Sequence, residues 1–196
     1  MGSAGTPRIG ALILCAGESR RMGRPKALLP IAGRTFLETL FNRLALSGAS
    51  PIVAVLGADA ARIRASVALP RMRFVVNPAP QRGQLSSIHC GLDAISGEEL
   101  DGLFIAPVDT PRVQAATLRR MIASLYPAPL VVPTFDGRRG HPALFATSLF
   151  EALRQASPEE GARAVVRARA DRLELDCGDP AVLEDFDTPE DLPAHG

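Results

Sequence analysis

The chain has 196 residues, of which 46% are hydrophobic and 22% charged, a composition typical of a folded globular protein and unlike that of disordered or fibrous chains. Its net charge of +1 argues against nucleic acid as a partner, and its longest apolar run, residues 9–16, is shorter than the roughly 20 residues that span a bilayer. The three cysteines show no CxxC spacing, which argues against a disulfide framework or zinc site. We expect one cytoplasmic domain over 1–196, with a flexible start at 1–8, a short tail at 193–196 and no membrane partner.

Apolar patterning predicts strands that alternate with helices along the chain. Residues 8–14 form a short, almost continuous apolar run, which is typical of a parallel strand covered on both faces. The helix predicted at 35–46 has apolar side chains at helical spacing and stops before Gly48. Further strands are predicted at 52–56, 74–76, 103–106, 130–132, 143–145 and 173–175, and further helices at 58–68, 86–95, 114–125, 148–155 and 161–169.

This alternation predicts an α/β fold built from βαβ units. Such connections are almost always right-handed, so we expect a doubly wound, mostly parallel, Rossmann-like sheet with helices on both faces. Ligands of these sheets bind beyond the carboxyl ends of the strands. Three segments that follow predicted strands are therefore candidate ligand-binding segments: residues 15–26, 77–87 and 107–111.

The loop after the first strand has the composition of a polyphosphate-binding loop. It contains Gly17, Ser19 and Gly23, and four cations fall within residues 20–26. Glycines let backbone N–H groups approach phosphate oxygens, while arginine and lysine supply positive charge. Lys26 is the only lysine among 22 basic residues. The spacing is neither a Walker loop nor GxGxxG, and a solvated basic connector remains the alternative.

A single carboxylate follows the strand predicted at 103–106. Asp109 stands between Pro107 and Pro111, and prolines fix the local backbone. One or two carboxylates together with substrate phosphates are the usual protein ligands of Mg²⁺, so Asp109 is a candidate magnesium ligand. The alternative is that Asp109 caps the helix that follows.

Two further segments have both a functional and a structural interpretation. Ser86 and Ser87 begin a predicted helix, whose free N–H groups favour an anion, but they could also be simple caps. The acidic segment 185–191 is a candidate for chemistry, but it could also be solvated surface or a helix start, because Thr188 precedes Pro189.

Residues 14–30, LCAGESRRMGRPKALLP, resemble the signature of the MobA-like nucleotidyltransferases, in particular their molybdenum cofactor cytidylyltransferase branch. Residues 83–88, the step Asp109–Thr110–Pro111, the turn Gly140–His141–Pro142 and the closing segment 185–192 resemble the same branch. The likeness spans residues 12–192 and implies a Rossmann-like, GT-A-like nucleotidyltransferase domain.

The resemblance implies an enzyme that transfers a nucleoside monophosphate from a triphosphate to a phosphate-bearing acceptor and releases pyrophosphate. It implies CTP as donor, a pterin cofactor phosphate (molybdopterin or molybdenum cofactor) as acceptor, Mg²⁺ as cofactor and a molybdoenzyme as client. The residues it implies are Leu14, Cys15, Ala16, Gly17, Ser19, Arg21, Gly23, Lys26, Gly83, Ser86 and Ser87 for the nucleotide, Gly140, His141 and Pro142 for the acceptor, Asp109 and Asp187 for the metal, and Arg21, Lys26 and Asp109 for catalysis.

Other functions are compatible with parts of this pattern. Transfer of a nucleotide to a sugar 1-phosphate would use the same triphosphate-binding residues. A non-catalytic nucleotide sensor, or a maturation protein that binds molybdenum cofactor, would need binding residues alone. A dehydrogenase is disfavoured, because GxGxxG is missing and no acidic residue ends the strand at 52–56.

Overall fold

A mixed sheet forms the centre of the computed structural model, which describes residues 6–17, 23–157 and 160–186. Its described strands are β1 (Ile9–Cys15), β2 (Pro30–Ile31), β3 (Arg34–Thr35), β4 (Ile52–Leu56), β5 (Met72–Val76), β6 (Gly102–Pro107), β7 (Leu130–Phe135), β8 (Arg138–Arg139), β9 (Ala143–Ala146) and β10 (Leu173–Asp176). The helices are α1 (Phe36–Ser47), α2 (Ala60–Ser66), α3 (Gln84–Ala94), α4 (Ala115–Ala123), α5 (Phe150–Gln155) and α6 (Ala162–Ala168). The strand order is β10-β7-β9-β6-β1-β4-β5, with β8 attached to β7 and β2–β3 forming a separate hairpin.

Strand β1 is central, and it pairs in parallel with β4 on one side and β6 on the other. Every residue of β1 and β4 is buried, which explains their continuous apolar sequence. The neighbouring pair β4–β5 and the distant pair β7–β10 are also parallel. The mostly parallel sheet predicted from the sequence is therefore confirmed.

One strand runs against this direction, because β9 inserts antiparallel between β6 and β7. The connection from β7 to β9, residues 136–142, is too short for a parallel crossover of about a dozen residues. It instead forms a tight turn and the short antiparallel strand β8.

Helices cover both faces of the sheet, as expected. One core cluster joins alternate residues of β1 to Phe36, Leu40 and Leu44 of α1, with α4 on the same side. A second cluster joins Leu12 and Leu14 of β1 to apolar residues of α3, α5 and α6. Because successive side chains of a strand point to opposite faces, β1 is held between two layers and its carboxyl end is fixed.

Helix boundaries differ from the prediction by one or two residues, and the caps explain the shifts. Thr35 is the N-cap of α1 and forms a capping box with Glu38, so the helix begins at Phe36. Gly83 is the N-cap of α3 with φ 87°, so that helix begins two residues earlier than predicted. The two-residue strands β2, β3 and β8 are too short to give a periodic signal.

Several expectations lie outside the described residues. They concern Ser19, Arg21, Asp187, Thr188, the tail at 193–196 and residues 1–5 of the expected flexible start. In the part of the chain that the structure describes, the longest helix is α1 with 12 residues, and no helix is long and apolar enough to cross a membrane.

Candidate active site

Lys26 and Asp109 meet beyond the carboxyl ends of the two central strands. Register pairs Leu14 of β1 with Pro107 of β6, so the loops after these strands leave the sheet side by side. Lys26 begins a 3-10 turn, Lys26–Leu28, at the end of the first loop. Its Nζ donates to Asp109 Oδ2 at 2.9 Å. We call this contact the Lys26–Asp109 pair.

A tight turn presents Asp109 to Lys26. The N–H and Oγ1 of Thr110 both donate to Pro107 O, at 3.3 and 3.0 Å, and the Thr110 side chain is buried. Asp109 is not the N-cap of the following helix, because Gln114 holds that position in α4. Its carboxylate is therefore directed to the site, and the structural alternative of a helix cap is excluded.

The partly buried surroundings of the Lys26–Asp109 pair strengthen the attraction between its two charges. The side chains of Lys26 and Asp109 are only 17% and 22% exposed, and charges interact more strongly where water is partly displaced. Asp185 adds a second carboxylate, with Oδ1 3.8 Å from Lys26 Nζ. The sequence interpretation chose Asp187 from this segment, and the only signal for Asp185 is its place in the same acidic stretch.

The backbone of residues 14–16 is closely packed, while Gly17 is exposed. A Cβ at Gly57, which follows β4, would lie 2.9 Å from Ala16 O. The backbone after β1 therefore packs closely against the backbone after β4. Cys15 belongs to the core cluster. Burial raises the pKa of its thiol far above the usual value, and the charge of Asp109 adds to the rise. The thiol therefore stays protonated. Gly23 is also exposed, with φ 65°, at the far end of the loop.

The start of α3 is organised by a residue that sequence reasoning missed. Asn77, buried at the end of β5, donates from Nδ2 to Ser86 Oγ at 2.8 Å and to Ser87 Oγ at 3.0 Å. Its Oδ1 accepts from Ala79 N at 2.9 Å. Neither serine is the N-cap of α3, since Gly83 is. Both hydroxyls instead fix the first turn of the helix.

The turn Gly140–His141–Pro142 is joined to the C-terminal part of the chain. His141 N donates to Val182 O at 2.8 Å, and a Cβ at Gly140 would lie 2.1 Å from the same oxygen. Glycine at 140 therefore allows this close approach. Pro142 is buried, whereas His141 is exposed.

The charge state of His141 is linked to Asp109. Protein packed around the ring lowers the pKa of His141, the charge of Asp109 opposes the shift, and Arg163 adds to it. The imidazole is consequently neutral at neutral pH, and it can donate one hydrogen bond and accept another. It lies within electrostatic reach of the Lys26–Asp109 pair.

The donor set at this position fits a hard divalent cation. Asp109 and Asp185 offer carboxylate oxygens to the same point, Lys26 Nζ, at 2.9 and 3.8 Å. Mg²⁺ prefers oxygen ligands and commonly binds through one or two carboxylates completed by phosphates and water. Asp109 and Asp185 are therefore candidate ligands of such an ion.

Comparison with known proteins gives a family assignment. The family model for the MobA-like NTP transferase domain matches residues 11–173. The chain is 33% identical to nicotine blue oxidoreductase of Paenarthrobacter nicotinovorans, with 98% of each chain covered. It is 31% identical to a probable molybdenum cofactor guanylyltransferase of Rhodopirellula baltica, over 62% of this chain and 58% of that one.

Solved structures with the same fold cover nearly the whole chain. The crystal structure of Rv0371c from Mycobacterium tuberculosis H37Rv superposes with a TM-score of 0.82, at 28% identity and with 95% of each chain covered. The structure of its complex with manganese gives a TM-score of 0.73 at 26% identity, covering 94% of this chain and 95% of that one.

Proposed function

The chain belongs to the MobA-like NTP transferase family, and on that premise we propose that it is a Mg²⁺-dependent cytidylyltransferase. It transfers the nucleoside monophosphate of CTP to the phosphate of a pterin cofactor, molybdopterin or molybdenum cofactor, and releases pyrophosphate. The observation that carries this proposal is the 2.9 Å contact of the Lys26–Asp109 pair beyond the carboxyl ends of β1 and β6. Phosphoryl-type transfer requires a cation for the triphosphate and a carboxylate for its metal at one point.

The reaction makes one bond and breaks one. An oxygen of the acceptor phosphate bonds to the α-phosphorus of CTP, while the bond from that phosphorus to the oxygen bridging to the β-phosphate breaks. Pyrophosphate leaves with the electron pair of the broken bond. The acceptor phosphate is already anionic at neutral pH, so no side chain has to remove a proton from it. Catalysis then consists of alignment and charge neutralisation.

The residues divide these tasks. Lys26 neutralises charge that develops on the α-phosphate and the leaving group, and Arg21 and Ser19 join it on the triphosphate. The backbone of residues 14–17 borders the base, and Gly83 with the first turn of α3 borders the nucleotide from the other side. Gly140, His141 and Pro142 face the acceptor, where the neutral imidazole of His141 offers a hydrogen bond.

Asp109 holds the metal, with Asp187 or Asp185 as a second ligand. When bound, Mg²⁺ neutralises phosphate charge and orients the triphosphate. The manganese complex of Rv0371c supports dependence on a divalent metal. The relative named molybdenum cofactor guanylyltransferase supports the pterin acceptor, while the choice of CTP over GTP is based on the motif resemblance.

A second candidate comes from the relative named nicotine blue oxidoreductase, which matches 98% of the chain. On that interpretation the protein catalyses an oxidation–reduction reaction, and no pyrophosphate is formed.

A pyrophosphate-release assay tests the proposal. The protein is supplied with Mg²⁺, molybdopterin or molybdenum cofactor, and CTP, GTP or UTP in separate reactions, with sugar 1-phosphates as a parallel acceptor panel. We expect steady turnover with CTP and a pterin acceptor, and none with Asp109→Asn. Turnover with GTP alone would correct the base. Reduction of nicotine blue by an added electron donor in the presence of the protein, without pyrophosphate, would replace the proposal by the second candidate.

A further inference from the structure

Asp179 is a buried carboxylate that the proposed chemistry does not use. It is 2% exposed and follows β10. Its Oδ2 accepts from Gln114 N at 2.9 Å and from Thr117 Oγ1 at 2.7 Å. Its Oδ1 accepts from Ala181 N at 3.2 Å. Hydrogen bonds from several donors stabilise a buried carboxylate, so this group is fixed in place.

Through these bonds Asp179 caps the start of α4, whose N-cap residue, Gln114, lies 65 residues earlier in the chain. Helix α4 has no side-chain cap of its own, because its N-cap residue is Gln114. A negative group is favourable at a helix N-terminus. A serine or aspartate at position 114 could satisfy this need locally. The remote carboxylate has a further effect, because it also ties residues 177–186, the C-terminal segment, to α4.

The C-terminal segment then runs across the candidate active site. Val182 O accepts from His141 N at 2.8 Å. Phe186 packs edge-on against Phe36, with ring centroids 5.1 Å apart. Between these contacts, Asp185 comes within 3.8 Å of Lys26 Nζ. The path starts at Cys177, whose N–H donates to Thr134 O at 3.0 Å and whose carbonyl accepts from Arg120 at 2.8 Å. Asp179 is its first side-chain anchor, and α4, to which it is bound, begins soon after the turn that carries Asp109.

We propose that Asp179 is a positioning residue for nucleotide transfer, because its bonds to α4 hold the C-terminal segment so that Asp185 stands beside the Lys26–Asp109 pair. This inference rests on the proposed function for its reaction. Its geometric part, the delivery of a second carboxylate to the metal-binding point, holds for any divalent metal there.

The test compares Asp179→Asn with a variant that repairs only the helix cap. Gln114 already has the extended backbone of an N-cap, with φ −77° and ψ 142°. In the double variant Asp179→Asn/Gln114→Asp, α4 therefore regains a local cap, while the bond to the C-terminal segment stays broken. Ile95→Val is the control for lost stability alone, since Ile95 is 3% exposed and lies in the second core cluster, whereas Val182 and Phe186 of this segment lie in the first.

Two readouts separate positioning from stability. The first is Mn²⁺ binding to the nucleotide-free protein, measured by electron paramagnetic resonance of the free ion. The second is kcat for pyrophosphate release, compared with KM for CTP, and the thermal midpoint Tm is recorded for every variant. For Asp179→Asn we expect Mn²⁺ affinity and kcat to fall about 10- to 100-fold, as is usual for residues that orient metal ligands. Ile95→Val lowers Tm, as is usual for a buried Ile→Val change, and leaves both readouts near the native values.

The double variant decides the outcome. If it regains Tm but keeps weak Mn²⁺ binding and low kcat, the inference is supported. If it regains all three, or if Asp179→Asn lowers only Tm, as Ile95→Val does, Asp179 serves stability only and the inference is overturned. Should Asp179→Asn fail to fold, the double variant alone is compared with the native protein by the same criteria. Loss of Mn²⁺ binding in a protein without transferase activity would leave the positioning role standing and overturn the proposed function instead.

Discussion

The proposed nucleotide transfer depends on single residues, and Lys26 is the most informative of them about how the triphosphate is bound. A composition rich in arginine explains 21 of the 22 basic residues but not a lysine at this position. An ammonium group is a compact point charge on a flexible stem, whereas a guanidinium group is a planar fork. Lys26 can therefore move from Asp109 towards a phosphate without a fixed approach direction.

Replacing Lys26 tests this role directly. We expect Lys26→Met to lower kcat for pyrophosphate release by at least about 10²- to 10³-fold, the usual cost of losing one group that stabilises transition-state charge. Lys26→Arg should restore only part of the rate, because its geometry differs. Arg24→Met, an exposed cation of the same loop, is the matched control and should stay near the native rate. Equal losses in Lys26→Met and Arg24→Met would contradict a specific role for Lys26.

The same residue offers a chemical test, because Lys26 carries the chain's only lysine amine. We expect reductive methylation with formaldehyde to modify Lys26, and CTP with Mg²⁺ to slow this modification by covering the ammonium group with phosphate. Peptide mass spectrometry follows the extent of modification with time. The N-terminal α-amine is the internal control, whose modification rate should not change. Equal rates at Lys26 with and without CTP would argue against its contact with the triphosphate.

Residue types predicted part of the candidate site and missed the rest for a physical reason. Lys26 and Asp109 stand out locally, one as a lone lysine and the other by its proline frame. Asp179 and Asn77 do not, because their roles come from hydrogen bonds to distant segments. An aspartate or asparagine in a loop has the same local pattern whether or not it makes such bonds.

At the scale of elements, chain length between strands decided what could be predicted. Continuous apolar runs predicted β1, β4 and β6 correctly. Their parallel pairing follows from the helical segments that connect consecutive strands. The antiparallel β9 was located but its direction was not, since that depends on the short turn at 136–142. Gly140 in this turn allows a close contact with the backbone of Val182.

Gly140→Ala tests that structural role. The added methyl group would lie 2.1 Å from Val182 O, which is a backbone atom and has little freedom to move. Overpacking of this kind typically lowers the free energy of unfolding by about 1 to 3 kcal/mol. We expect a value near the upper end, measured by urea denaturation. Gly97→Ala is the control, because nothing lies within 4 Å of its Cβ position, and its effect should stay within about 0.5 kcal/mol.

For the whole molecule, the fold brings together two halves of opposite charge. The first hundred residues carry 12 basic and 6 acidic side chains, and the remaining residues carry 10 and 15. Lys26 comes from the basic half, whereas Asp109 and Asp185 come from the acidic half, and all three meet at the ends of β1 and β6. In the proposed function the triphosphate is bound by the basic half and its metal by the acidic half. Nucleotide and metal should therefore bind better together than separately.

Thermal stability measures this coupling without any acceptor. A ligand at a hundred times its Kd stabilises the folded state by about 2.7 kcal/mol, and one kcal/mol corresponds to a Tm change of roughly 2–4 °C for a domain of this size. We expect CTP with Mg²⁺ to raise Tm by about 5–10 °C on that scale, and CTP with EDTA to raise it much less. In Asp109→Asn the difference between Mg²⁺ and EDTA should shrink by more than half, because the main carboxylate ligand of the metal is gone. The same rise in Tm with and without Mg²⁺ in the native protein would show that the triphosphate binds without a metal held by Asp109.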